Sequence, residues 1–123
     1  MNSPKTVLVV DDSRFSRLIS RTFILSKYPD WIIEEAASGE EAIEKMGRIS
    51  PRLVLMDVNM PGMGGIAASE KLRMQFPELC IFLQTANIQE STRNKATAMG
   101  VGFLEKPISE ERIHKVLAEL ENG

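Results

Sequence analysis

The chain contains one cysteine, one histidine, one tryptophan and one tyrosine. A lone Cys80 forms no disulfide within the chain, which suits a reducing compartment. No apolar run approaches the ~20 residues of a membrane span. The first such run stops at Asp11 and is too short for a signal-peptide core. Neither sign of charge dominates: 15 basic residues against 17 acidic give a net charge of −2, so there is no basic face for nucleic acid. Linkers, repeats and low-complexity segments are also missing. What remains is ordinary globular composition, 43% hydrophobic and 26% charged over 123 residues. That is enough for one core without disulfides or a structural metal. We expect a soluble cytoplasmic protein of one domain, 1–123, with its core at about 5–121 and loose tails at Met1–Lys5 and Asn122–Gly123.

Five short apolar runs are present: "TVLVV" (6–10), "WIIEEA" (31–36), "RLVLMD" (52–57), "CIFLQT" (80–85) and "VGFLEK" (101–106). The first, third and fourth are nearly continuous in branched and aromatic residues, as in parallel strands covered on both faces. The second and fifth carry more polar residues and suit sheet edges. Helical patterns lie between them, with start signals at Ser13, at Ser38 with Glu41, at Asn87 with Glu90, and at Ser109 before two glutamates. The first helix shows an apolar stripe of Phe15, Leu18, Ile19 and Phe23. The last shows Ile113, Val116, Leu117 and Leu120. Segment 88–99 is a poor helix former with a thin stripe, fitting a marginal surface helix and a rearrangeable element equally. Alternating strands and helices predict a doubly wound α/β fold with right-handed crossovers.

In such sheets ligands bind beyond the carboxyl ends of the strands, at the topological switch point. With strand order 2-1-3-4-5 the switch lies between strands 1 and 3. Asp11 and Asp12 end strand 1, Asp57 ends strand 3, Thr85 ends strand 4, and Lys106 ends strand 5, followed by Pro107. Two carboxylates ~4 Å apart repel by roughly 1 kcal/mol in water and about 4 at an effective dielectric of 20. A hard divalent cation, Mg²⁺ or Mn²⁺, relieves that repulsion. No histidine base, serine nucleophile or phosphate-cradling glycine loop is at hand. The chemistry left is a carboxylate that accepts a phosphoryl group as an acyl phosphate, with metal and lysine neutralising the phosphoryl oxygens.

The acidic pair in "VVDDS", Asp57 in "VLMDVNMPGMGG", Thr85 in "FLQTAN" and Lys106 in "FLEKPIS" together resemble the receiver domain of two-component response regulators, over essentially the whole chain. The resemblance implies a flavodoxin-like fold of five parallel strands and five helices. It implies Asp57 as phosphoacceptor, served by a histidine kinase or histidine phosphotransfer protein. Asp11, Asp12, Asp57 and the backbone carbonyl of Asn59 would bind Mg²⁺, and Lys106 would contact the phosphoryl group. Thr85 would follow the phosphate, and Phe103, where the family often has tyrosine, would be the aromatic switch. Asn59 and Asn87 occupy positions that tune phosphate lifetime, and Lys106–Pro107 is expected to be cis. The output is expected through a face of helix 4, strand 5 and helix 5, roughly residues 87–121, that binds a downstream protein target, from a monomer or, alternatively, a dimer. Such a protein is a switch rather than a dedicated enzyme, and it touches neither nucleic acid nor membrane.

Plainer readings compete residue by residue. An isolated Asp-Asp pair would be a helix N-terminus, Asp57 a turn residue, Thr85 a strand residue and Lys106 a surface lysine. Their joint occurrence at four strand ends overturns those readings. Gly62, Gly64 and Gly65 are assigned to loop conformation, Cys80 to a buried core thiol, His114 to the surface, and Trp31 to packing. A haloacid dehalogenase-type phosphohydrolase would carry D-x-D after strand 1 and a cap domain. A flavin module would need a hydroxyl- and glycine-rich loop where "DDS" stands. A degenerate, interaction-only receiver would lack part of the residue set.

Overall fold

The computed structural model describes residues 4–86 and 89–122, the last without its side chain. Five strands form where the apolar runs lie: β1 Thr6–Val10, β2 Ile32–Ala36, β3 Leu53–Asp57, β4 Cys80–Thr85 and β5 Gly102–Glu105. All pair in parallel in the order β2-β1-β3-β4-β5. The two polar-containing runs are the edges, as expected.

Side chains alternate across the sheet and divide the core in two. Leu8, Val10, Val54, Met56, Ile81 and Leu83 face helices α2 (Gly39–Met46), α3 (Gly64–Gln75) and α4 (Glu90–Met99), meeting Ala42, Met46, Ala68, Leu72 and Ala96. Val7, Val9, Leu53, Leu55 and Leu104 face α1 (Arg14–Lys27) and α5 (Glu110–Asn122), meeting Ile24, Ile113, Val116 and Leu117. At β2's amino end Trp31 stacks on Tyr28 at 4.1 Å, with the Lys5 ammonium 5.5 Å from its ring, so its role is packing.

Three helix starts are built as the sequence suggests. Ser13 Oγ accepts from Ser16 N, Ser38 Oγ from Glu41 N, and Ser109 Oγ from Arg112 N. Glu41 completes its box one residue early, accepting from Ala37 N at 2.7 Å. The fourth start differs. Asn87 lies outside the described residues, and α4 begins at Glu90 after Gln89, which makes no side-chain capping bond.

Three further expectations are corrected. The stripe on α1 is rotated: Ser20 and Ile24 are buried, whereas Phe15 and Leu18 are 70% and 54% exposed. Periodicity located an apolar stripe but not the line along which α1 meets α5. His114 is not a free surface group either. Its Nε2 lies 2.8 Å from the Phe23 carbonyl and 3.2 Å from Ser26 Oγ, tying α5 to α1. Cys80 is half-buried rather than wholly in the core, and its thiol pKa is raised, first by burial.

After β3 the chain turns sharply. Gly62 and Gly64 take left-handed φ of 80° and 76°. Gly65 meets another constraint: a Cβ there would sit 2.0 Å from the Asp57 carbonyl oxygen. The first turn of α3 therefore packs against the backbone that carries Asp57. Gly65→Ala is expected to destabilise the fold by about 3 kcal/mol or more, because backbone must move. Urea unfolding measures this, and a loss below about 0.5 kcal/mol would contradict the close approach.

Candidate functional site

β1, β3 and β5 end at one edge of the sheet, and their terminal residues converge there. Asp11 follows β1 and is buried, and its Oδ1 accepts from Ser13 N at 2.9 Å. Asp12, next in the chain, is exposed. Asp57 is the last residue of β3 and is 4% exposed. Oxygens of all three carboxylates lie within 4.8 Å of one another. The Lys106 ammonium, just past β5, reaches across β4 to bridge Asp11 Oδ2 at 2.9 Å and Asp57 Oδ1 at 3.2 Å.

The parallel sheet makes that reach possible. Thr85 ends β4 between Asp57 and Lys106, is 1% exposed, and accepts the Lys106 N–H on its carbonyl at 2.8 Å. The Lys106–Pro107 bond is cis. Phe103 lies outside the cluster, half-buried against the α2–α4 side of the core. Register pairs Thr85 with Glu105 and Leu83 with Phe103, so Thr85 and Phe103 share one sheet face, two register positions apart. Asn59 is exposed, and its backbone N–H donates to Asp57.

Burial raises the Asp57 pKa, and the neighbouring Asp11 charge adds to this. The charge and hydrogen bond of Lys106 and the Asn59 N–H oppose it without cancelling it. Burial acts to lower the Lys106 pKa. The hydrogen bond to Asp11 and the charges of Asp57 and Asp11 outweigh it, so the ammonium is held above its ordinary value.

Three carboxylates therefore cluster at one ammonium, which pairs with two of them, Asp11 and Asp57. One oxygen from each carboxylate lies within 4.8 Å of the others, near enough for a single small cation to be shared, and carboxylate oxygens are what Mg²⁺ prefers. The donor set is all oxygen, and exposed Asp12 leaves an open side. These residues fit a hard divalent cation.

Some contributors were not legible in sequence. Arg17 Nη1 donates to the Asp11 carbonyl at 2.6 Å while its Nε donates to Glu35 at 2.8 Å, fixing the backbone of the acidic pair. Glu40, on α2, accepts the Met63 N–H at 3.2 Å and packs against Gly62 in the loop after Asp57. Both act from a different element, and local spacing carries no sign of either.

A family model described as the response regulator receiver domain matches residues 7–118. The chain belongs to this family. Chemotaxis protein CheY of Thermotoga maritima is 33% identical over 114 residues, covering 92% of this chain and 94% of that protein. A protein-glutamate methylesterase/protein-glutamine glutaminase of Methanosarcina acetivorans is 33% identical over 109 residues, covering 89% of this chain. The receiver chain spans only 31% of that relative's length. The crystal structure of Vibrio cholerae CheY4 superposes with a TM-score of 0.85 at 29% identity, covering 96% of this chain and 99% of that one. Receiver domains of this kind act as phosphorylation-operated signalling switches and bind Mg²⁺ at an acidic pocket. Among the described residues no helix is long and apolar enough to cross a membrane.

The raised Asp57 pKa has a thermodynamic consequence. In metal-free protein the folded state holds the Asp57 proton to higher pH than the unfolded chain does. Stability therefore falls as pH rises from the ordinary carboxylate value of 3.8 through the raised one. Asp57→Asn keeps the shape and removes the charge. In EDTA at pH 7 it is expected to melt several degrees above wild type, about 1 kcal/mol being worth roughly 4 °C in a domain of this size. The gain should vanish below the ordinary carboxylate pKa. A lower melting temperature for Asp57→Asn at pH 7 would contradict the charge balance described.

Proposed function

We propose that Asp57 is the phosphoacceptor of this receiver. The observation that carries the reading is the Lys106 ammonium bridging Asp11 and Asp57, which sets one cation beside the buried carboxylate nucleophile. In the proposed step an Asp57 carboxylate oxygen attacks phosphorus on a phosphohistidine of a histidine kinase or phosphotransfer protein. The P–N bond breaks, its electron pair returns to the imidazole, and Asp57 becomes an acyl phosphate. Asp11, Asp12, Asp57 and the Asn59 carbonyl would hold Mg²⁺, which when bound neutralises phosphoryl charge. Lys106 gives up part of its contact with Asp57 and pairs with a phosphoryl oxygen. The protein mediates its own phosphotransfer and dephosphorylation in the cytoplasm and is not a dedicated enzyme.

The output reading follows from the new charge. A phosphoryl group adds roughly −1.5 to −2 units and strong acceptors at the strand ends. The Thr85 hydroxyl turns towards them, and Phe103, two register positions away on the same face, turns into the space released. Residues 89–121, spanning α4, β5 and α5, then present an altered surface to a downstream protein. Asn87 and Ile88, also in the expected output region, lie outside the described residues. Moving an equilibrium from 1:99 to 99:1 takes about 5.5 kcal/mol. A hydrogen bond to a charged group contributes about 1.5–3. Thr85 therefore acts together with Lys106 and the cation.

Labelling tests the nucleophile. Acetyl phosphate with Mg²⁺ should yield one hydroxylamine-labile phosphoryl group per chain, absent from Asp57→Asn. Equal labelling of wild type and variant would reject Asp57.

The cation site has its own measurement. Calorimetric titration with Mg²⁺ should show one site that Asp12→Ala weakens by tenfold or more, about 1.4 kcal/mol. Calorimetry suits this better than fluorescence, because Trp31 lies at the opposite end of the strands. Unchanged affinity in Asp12→Ala would remove that residue from the site.

A further inference from the structure

The two ends of α4 are held in unlike ways. Its amino end follows Gln89, which makes no side-chain capping bond, and Gln89, Glu90 and Ser91 are all exposed. Ala96 is the one α4 residue that is fully buried. Its carboxyl end is fastened three times over. Gly100 takes a left-handed φ of 70°, its N–H reaches the Thr97 carbonyl at 3.1 Å, and the Val101 N–H reaches Ala96 at 3.0 Å, closing the helix in a Schellman turn. Met99 and Val101 pack on the core.

The third fastening comes from another helix. Arg73, on α3, donates from Nε to the Met99 carbonyl at 3.2 Å. Its Nη1 donates to Pro77 at 2.7 Å and Leu79 at 2.9 Å in the turn between α3 and β4. One planar guanidinium thus joins the last residue of α4 to a turn that leads into the central sheet. α4 has no basic residue in its own last turn, so Arg73 also supplies the cation that a helix carboxyl end favours.

We infer that Arg73 is the pivot of α4: it anchors the carboxyl end, so that the response to phosphorylation is a swing of the amino end. The inference rests on the output reading above and specifies how α4 moves. Leverage then has a direction. The end nearer Thr85 is the less restrained, and displacement decreases towards Met99. Arg73 is a positioning residue that does not touch the phosphoryl site, and its loss should leave the chemistry at Asp57 intact.

Amide exchange measured by NMR on the full chain, with and without beryllium fluoride and Mg²⁺, tests this. In wild type the amides of Arg93, Asn94 and Lys95 should change exchange rate about tenfold or more, and those of Met99, Gly100 and Val101 less than about twofold. Arg73→Met keeps most of the stem and removes the donors. It should raise exchange at Met99, Gly100 and Val101 about tenfold even without beryllium fluoride, while acetyl phosphate labelling of Asp57 stays at the wild-type level. Arg73→Lys, retaining charge and a donor, should fall between. An even response along wild-type α4, or full protection of its last amides in Arg73→Met, overturns the pivot and leaves the output reading standing. An α4 that does not respond anywhere while Asp57 is occupied overturns both. The wild-type gradient requires no variant to fold.

Discussion

Three carboxylates within 4.8 Å of one another, two of them buried, are an arrangement the fold has to tolerate. Lys106 makes it tolerable by spanning from β5 to β1 and β3. Much else serves that contact. The parallel order brings the strand ends to one edge, and the Lys106 N–H on Thr85 fixes where β5 releases its lysine. Ser13 and Asn59 offer N–H groups to the carboxylates, and Arg17 holds the Asp11 carbonyl. One ammonium does not balance three carboxylates. The residual negative charge leaves the pocket receptive to a cation.

That same imbalance connects site to switch. A buried carboxylate held with a raised pKa is a local source of instability, and ligation or phosphorylation changes its charge environment at once. The helix that the proposed output sets in motion is the least packed one. α4 buries a single residue fully, whereas α5 lays Ile113, Val116 and Leu117 into the core and is tied to α1 through His114. An element with few buried contacts rearranges at low free-energy cost. In the proposed output its secured carboxyl end directs that rearrangement to the amino end.

Most of the fold was legible because strands buried on both faces must be continuously apolar and edge strands need not be. The five runs coincide with the five strands to within a residue, and the two mixed runs are the edges. The acidic pair, Asp57 and Lys106 were legible because their chemistry makes sense only together at strand ends. What misled was local periodicity without a partner. On α1, Phe15 and Leu18 fall on a helical stripe, yet the face that meets α5 runs through Ser20 and Ile24. His114 has an ordinary surface neighbourhood in sequence and acquires its partners from α1. At α4 the spacing pointed to Asn87, which lies outside the described residues, and the helix begins at Glu90 after Gln89, which makes no side-chain capping bond.

The sequence by itself determined which segments are strands, which helices are well started, and which charged residues need one another. Those properties follow from residue type and short-range spacing. Only the tertiary structure decided that the Lys106 ammonium bridges two carboxylates, that Gly65 lies against the Asp57 carbonyl, and that Arg73 joins α3 to the end of α4. Each of these contacts links elements by a distance of a few ångströms. Such distances are set by how helices pack on a twisted sheet, and spacing along the chain does not contain them.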